Sequence, residues 1–238
     1  MNIFKRPLDL ALWAIFITSL AILFLAHEDP FVRDALCSRT GFCPVVANAK
    51  AWNKIFYDLA AGALVSLIFY VLVVRVPDYQ KRRRLKKSLA RHYRNFREDC
   101  IGLMLGVADG SYDSRLPVQL LEQDAFKNYF NQKVTPDQDR WNRFENKLDE
   151  YHLRELIKKA EIFRDEIAFV LNNVDIPSEA PFEFLKRLSA AIYSVHDTTL
   201  GYDETKPFAR FLWEVFAGFS WATGYRERDI IPEMIEAI

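Results

Sequence analysis

Two stretches of the chain lack the spacing of polar and apolar positions that marks a soluble helix or strand. Residues 10–26, LALWAIFITSLAILFLA, and 59–74, LAAGALVSLIFYVLVV, carry no charge. Ile55, Phe56 and Tyr57 add to the second run from just ahead of Asp58. Seventeen residues of helix rise roughly 25 Å, so with their flanks both runs match a hydrocarbon core about 30 Å thick. In hydrocarbon the backbone must satisfy its own hydrogen bonds, which leaves the helix as the economical form. The pattern predicts membrane spans at about 8–26 and 56–76 with a loop over 27–54, a hairpin domain covering 1–78. A cleaved signal peptide would share the first run. However, Phe24-Leu25-Ala26 puts Phe where a cleavage site wants a small residue, and the second run follows closely.

Beyond Pro77, expected to end or kink the second span, the pattern becomes helical. Leu85, Leu89, Tyr93, Phe96, Cys100 and Leu103 recur at spacings of three and four, with Lys and Arg on the other faces. This predicts a basic juxtamembrane helix over 79–106, ended by Gly106, Gly110 and the DGSYDS turn. The remainder, 107–238, reads as a cytoplasmic helical domain. Pro117 opens a helix over 118–131. Thr135-Pro136 reads as the capped start of a long helix to about Asn173. On it Trp141, Phe144, Leu148 and Tyr151 form one seam. After a one-residue slip Leu156, Ala160, Phe163, Ile167, Val170 and Val174 form another. Such a seam serves either a core face or a coiled coil, and the core face is the simpler reading. A further helix carries Phe182, Leu185, Leu188, Ala191, Ile192 and Val195. An apolar stretch over 208–225 reads as a buried central helix, because Arg210 and Glu214 lie inside it. RERDIIPEMIEAI reads as a last short helix. The fold class is all-α, a two-helix transmembrane hairpin followed by a cytoplasmic bundle of about six helices.

Charge orients this layout. The zero net charge is a cancellation: residues 1–97 hold 16 Lys/Arg and 6 Asp/Glu, whereas residues 98–238 hold 16 and 26. Lys5 and Arg6 precede the first span, and ten Lys/Arg lie from Arg75 to Arg97. Only Arg33, Arg39, Lys50 and Lys54 lie in the loop. The positive-inside rule puts both ends of the chain in the cytoplasm. Trp52, Phe56 and Tyr57 would then form an outer aromatic belt, and Tyr79 would sit near the inner one. Nineteen Phe against eight Gly also suits helices better than turn-rich sheets.

Several candidate chemistries follow. Cys37 and Cys43, in CSRTGFC, would face an oxidising compartment and pair as a disulfide; a metal site there lacks further ligands beyond His27. Cys100 is expected to stay a thiol. Small residues recur at helical spacing: Ala11, Ala14, Thr18 and Ala21 in the first span, Gly62 and Ser66, with Ala63, in the second. Ala14, Thr18, Gly62 and Ser66 are the candidate helix-packing residues. They serve either to close the hairpin or, in part, to join copies. Asp9 and Asp58 fall at opposite membrane edges, which does not suit a proton relay. Lys81, Arg82, Arg83, Arg84, Lys86 and Lys87, in KRRRLKK, are candidate phosphate contacts. The phosphate is either that of anionic lipid or that of RNA, since His92, Tyr93 and Phe96 are interleaved with basic residues.

The sequence holds no P-loop, no Gly-rich dinucleotide loop and no Gly-x-Ser-x-Gly elbow. His27, His92, His152 and His196 form no metal-binding pair, and no Arg–His spacing suits a helical ribonuclease. His196-Asp197 reads as a helix-end pair. The acids of the long helix are interspersed with bases, as in Glu155 and Lys159. The expectation is a non-enzyme without metal or cofactor.

The hairpin at 10–26 and 59–74, the KRRRLKK segment and the helical domain together resemble the two-helix membrane effectors of bacterial antiphage systems, in particular those encoded beside retron reverse transcriptases. The resemblance covers the whole chain as a layout, without a diagnostic motif. It implies an inner-membrane protein held silent by a cytoplasmic protein or ribonucleoprotein, whose released copies self-associate and permeabilise the membrane. A non-toxic membrane anchor or scaffold for a cytoplasmic partner is the alternative, and a membrane-bound nuclease ranks last.

Overall fold

The computed structural model describes residues 7–25, 50–201, 203–220 and 222–238. The loop carrying Cys37 and Cys43 lies outside the described residues. About three quarters of the described residues are helical. The chain divides into two compact units, Met1–Gln80 and Lys81–Ile238.

The first unit contains α1 (Pro7–Leu25) and α2 (Lys50–Tyr70), which pack on each other. Ser19 and Ala60 are its buried side chains among the described residues. A π-helical turn, Val71–Arg75, follows, and α3 (Val76–Asp109) continues from it. Pro77 therefore does not end the helix. Proline removes an N–H and crowds the carbonyl four residues back, here that of Val73, inside the π turn. The wider turn shifts the register, with Val76 N–H donating to Val71 O, and so absorbs the proline. One described helix, starting at Lys54, is long and apolar enough to cross a membrane, with a mean hydropathy of 2.3 and 6% of the apolar window buried. The apolar stretch described in α1, Leu10–Leu23, is shorter.

The second unit is built around the second half of α3. Leu89, Tyr93, Phe96, Cys100, Ile101, Met104 and Leu105 are buried. The helix predicted as a juxtamembrane segment is thus a central piece of this unit's core. It stops where Gly110 takes a left-handed backbone (φ 80°) and donates its N–H to Gly106 O at 3.0 Å, a conformation cheap only for glycine. Asp109, its last residue, accepts from Tyr129 Oη at 3.0 Å and lies 3.3 Å from Arg140 Nε.

The next elements depart from the sequence pattern in instructive ways. The single helix predicted over 118–131 is two, α4 (Leu116–Gln119) and α5 (Gln123–Phe130), because Glu122 takes an extended backbone. Thr135-Pro136 caps no helix. It lies at the turn of a small antiparallel hairpin, β1 (Lys133–Thr135) with β2 (Gln138–Asp139), where proline suits a turn as well as a first helical position. Asp139 caps α6 (Arg140–Lys147), its carboxylate accepting from Asn142 N at 2.8 Å. The predicted long helix then breaks at Leu148, ahead of the one-residue slip between Tyr151 and Leu156. Asp149 accepts from His152 N at 2.8 Å and starts α7 (Glu150–Asn173). Such a carboxylate satisfies one of the N–H groups that a helix start leaves free.

The seam on α7 is a core face: Leu156, Ala160, Phe163, Ile167 and Val170 are buried, whereas Tyr151 is exposed. Phe163 stacks on Phe96 of α3 with centroids 5.3 Å apart. α8 (Glu179–Ser194) packs on α7. α9 (Lys206–Phe216) buries Phe208, Phe211, Leu212, Val215 and Phe216. It ends well before residue 225, because Gly218 turns left-handed (φ 66°) into a second hairpin, β3 (Phe219–Ser220) with β4 (Gly224–Tyr225). α10 (Ile230–Ala237) closes the unit and packs on α8. A helical domain with two minor hairpins therefore replaces the strictly all-α expectation.

Candidate functional site

The basic segment of α3 carries the most concentrated candidate chemistry, and the fold sorts its cations into two groups. At 3.6 residues per turn, Leu85, Leu89, Tyr93 and Phe96 share the inward face. Arg82 and Lys86 flank it. Arg82 Nε donates to the main-chain oxygen of Ile238, and Lys86 Nζ donates to that of Glu236. Glu236 lies in the last turn of α10 and Ile238 is its C-cap, where free carbonyls and the helix dipole favour a cation. These two predicted phosphate contacts are therefore engaged by the protein itself. Lys81, Arg83, Arg84 and Lys87 are exposed.

The other end of α10 is held to the same helix. Asp229 Oδ1 accepts from Ile231 N at 3.1 Å and caps α10. Its Oδ2 accepts from Tyr93 Oη at 2.6 Å and from Arg97 Nη1 at 2.8 Å. Arg97, only 5% exposed, also reaches Phe216 O at 3.4 Å and lies 5.8 Å from the Tyr93 and Phe216 ring centroids. A buried guanidinium requires such a carboxylate and carbonyl to offset its lost hydration. Burial raises the Tyr93 hydroxyl well above the ordinary tyrosine range, the Arg97 charge opposes this, and Asp229 adds to it. The Tyr93–Arg97–Asp229 cluster was not visible in the sequence: its members lie 132 and 136 residues apart, with no local pattern joining them.

The interleaved aromatics of the RNA reading are withdrawn into the core, since Tyr93 and Phe96 are buried. Cys100 is a free thiol with no exposed surface. Burial, then the nearby Asp99 carboxylate, pushes its pKa up, which suits an inert packing residue rather than a nucleophile.

The small-residue candidates lie apart from the packed surface of the first unit. Ala14, Thr18, Gly62 and Ser66 are exposed, and a Cβ built on Gly62 meets nothing within 4 Å. Closure of the α1–α2 pair instead buries Ser19 and Ala60. The Thr18 hydroxyl donates to Ala14 O at 2.8 Å within its own helix.

The described histidines remain separate, and His27 lies outside the described residues. His92 Nδ1 lies 3.0 Å from Ser88 O and 3.6 Å from Glu166. His152 lies beside Asp149. His196 bridges Tyr193 O and Asp197 at its helix end. Among the described residues no group of three His, Cys, Asp or Glu side chains is placed to hold a metal ion. An open groove beside α3, floored by Gly102 and Gly106, is lined by Glu98, Glu155 and an Asp99–Lys159 pair at 2.8 Å. No protein-family model, curated protein or solved structure matches the chain.

Proposed function

We propose that the chain is an inner-membrane effector of bacteria. In this reading α1 and α2 cross the bilayer as a hairpin, and both ends of the chain lie in the cytoplasm. The helical unit restrains or releases copies that perturb the membrane, as in antiphage defence. The observation that carries the membrane part is the outward apolar surface of α2 and the turn after it. Leu59 is 70% exposed and Phe69 62%, with Val65, Ile68, Leu72 and Val73 also outward. Apolar surface in water costs about 25 cal/mol per Å², and lipid removes that cost. The effector part rests on the layout resemblance and on the exposed small residues Ala14, Thr18, Gly62 and Ser66, which leave room for a second copy's backbone. A non-toxic scaffold would share the anchoring but not the toxicity.

The test is regulated overexpression in bacteria, with growth, entry of a membrane-impermeant dye and membrane abundance measured together. The effector reading expects arrest and dye entry, both lost in Gly62→Leu at equal abundance. A harmless wild type, even under phage infection, would sink the effector in favour of the scaffold. A toxic Gly62→Leu would keep the effector but remove the packing model.

A further inference from the structure

Five cations form a row on the face of α3 turned from its core. At 100° per residue, Arg83, Arg84, Lys87, Arg91 and Arg94 fall within an arc of roughly 100°, nearly opposite Leu89, Tyr93 and Phe96. All five are exposed, and none has a hydrogen bond or ion pair among the described residues. The row is about 16 Å long and stops at Glu98. It differs from the KRRRLKK segment: Arg82 and Lys86 are bound to α10, whereas Arg91 and Arg94 extend the line.

We infer that this row is a binding surface for anionic phospholipid headgroups; this deepens the membrane reading above and rests on it. Three observations favour lipid over nucleic acid. Tyr93 and Phe96 are buried, so no tyrosine or phenylalanine of this segment is free to stack on bases. Residues 81–97 hold no acid, whereas 98–238 hold a surplus of ten, which would repel a long polyanion reaching past the row. The row begins eight residues after Arg75, where the exposed apolar run ends, so the chain itself keeps it near the headgroups.

The experiment places the full chain in nanodiscs of phosphatidylcholine, with or without phosphatidylglycerol. A membrane-impermeant amine reagent modifies the lysines, and mass spectrometry reads the rate at Lys87. Lys158, exposed on α7, is the internal control. Phosphatidylglycerol should slow Lys87 modification about fivefold, and about 1 M salt should restore it. Arg94→Glu, a change at an exposed and unpaired side chain, should also restore much of the rate. An unchanged Lys87 rate in anionic nanodiscs would overturn the proposal. No effect of Arg94→Glu would overturn the place of Arg94 in the lipid-binding row. Protection of Lys87 by duplex RNA in neutral nanodiscs, without protection by phosphatidylglycerol, would reassign the row to nucleic acid. If the chain extracts from membranes at alkaline pH, the spanning reading fails. Flotation with anionic against neutral liposomes then decides the row by itself.

Discussion

The two units handle apolar residues in opposite ways. In the first, Leu59, Phe69 and Val73 point outward from α2, and the buried positions described there are an alanine and a serine. In the second, α7 keeps Leu156, Phe163, Ile167 and Val170 inward, and its outer face mixes charged side chains with Tyr151, Ile162 and Phe169. The same physics accounts for both if, as proposed, the first unit lies in lipid. Water drives large apolar groups inward, whereas lipid does not, and close approach at small residues then sets helix contacts. The difference is one of direction rather than composition, because apolar residues abound in both units.

The largest effect separating the units should come from removing one phenylalanine in each. Phe163 is fully enclosed and stacks on Phe96. Phe163→Ala leaves a cavity and should cost about 3–5 kcal/mol. Phe69→Ala, on the outer surface of α2, should leave the unfolding midpoint of the second unit unchanged. Chemical denaturation in detergent, followed by tryptophan fluorescence, compares the two. Equal losses would mean that α2 also buries its apolar side in protein.

Next comes the clamp on α10. Asp229→Ala removes both the cap and the carboxylate bound to the buried Arg97, at a cost of about 3 kcal/mol. Arg83→Ala, in the same helix but outside the core, should change stability by less than about 0.5 kcal/mol. The measured difference tests whether α3 really has one structural and one free set of cations.

How much of this was legible depends on the range of the interactions. The apolar run of α2, the α7 seam and the end of α3 at Gly110 rest on local patterns, and the sequence shows them. The slip between Tyr151 and Leu156 falls inside α7, whereas the break lies at Leu148, where Asp149 caps the next helix. Thr135-Pro136 misled because proline suits a turn and a helix start equally. Gly218 was the available cue that α9 ends early. Arg91 and Arg94 continue the spacing of Arg83 and Lys87 and could have been found by counting forward. The engagement of Arg82 and Lys86 by α10 could not, since it joins residues 156 and 150 positions apart.

Alkaline pH should act on the second unit through two buried groups. Cys100 and Tyr93 both have folded pKa values raised, first of all by burial. A raised value means that the unfolded chain ionises first. Their contribution to stability is whole below the unfolded values and is lost as pH rises past them, near about 8.5 for the thiol and about 10 for the phenol. Stability should therefore fall from about pH 8.5 and more steeply beyond about 10. Tyr93→Phe should flatten the second stage while leaving Arg97 bound to Asp229. A Tyr93→Phe curve parallel to the wild type throughout would show that the phenol is solvated.

The smallest effect is also the sharpest comparison, because one substitution is made in each unit with the same local cost. Gly106 in α3 and Gly62 in α2 are both helical, and a Cβ at either meets nothing within 4 Å in the single chain. Alanine restricts the unfolded chain without straining the helix, so Gly106→Ala should stabilise the second unit by about 0.4–1 kcal/mol. Gly62→Ala should do the same for the first unit if its outer face meets only lipid tails. If a second copy's helix lies against Gly62, the added methyl group holds the backbones apart and the gain disappears or reverses. Midpoints taken at several protein-to-detergent ratios separate the cases: a packing penalty at Gly62 shrinks on dilution, whereas the gain at Gly106 does not. A dilution-independent gain at both positions would leave the small-residue face of α2 without a partner.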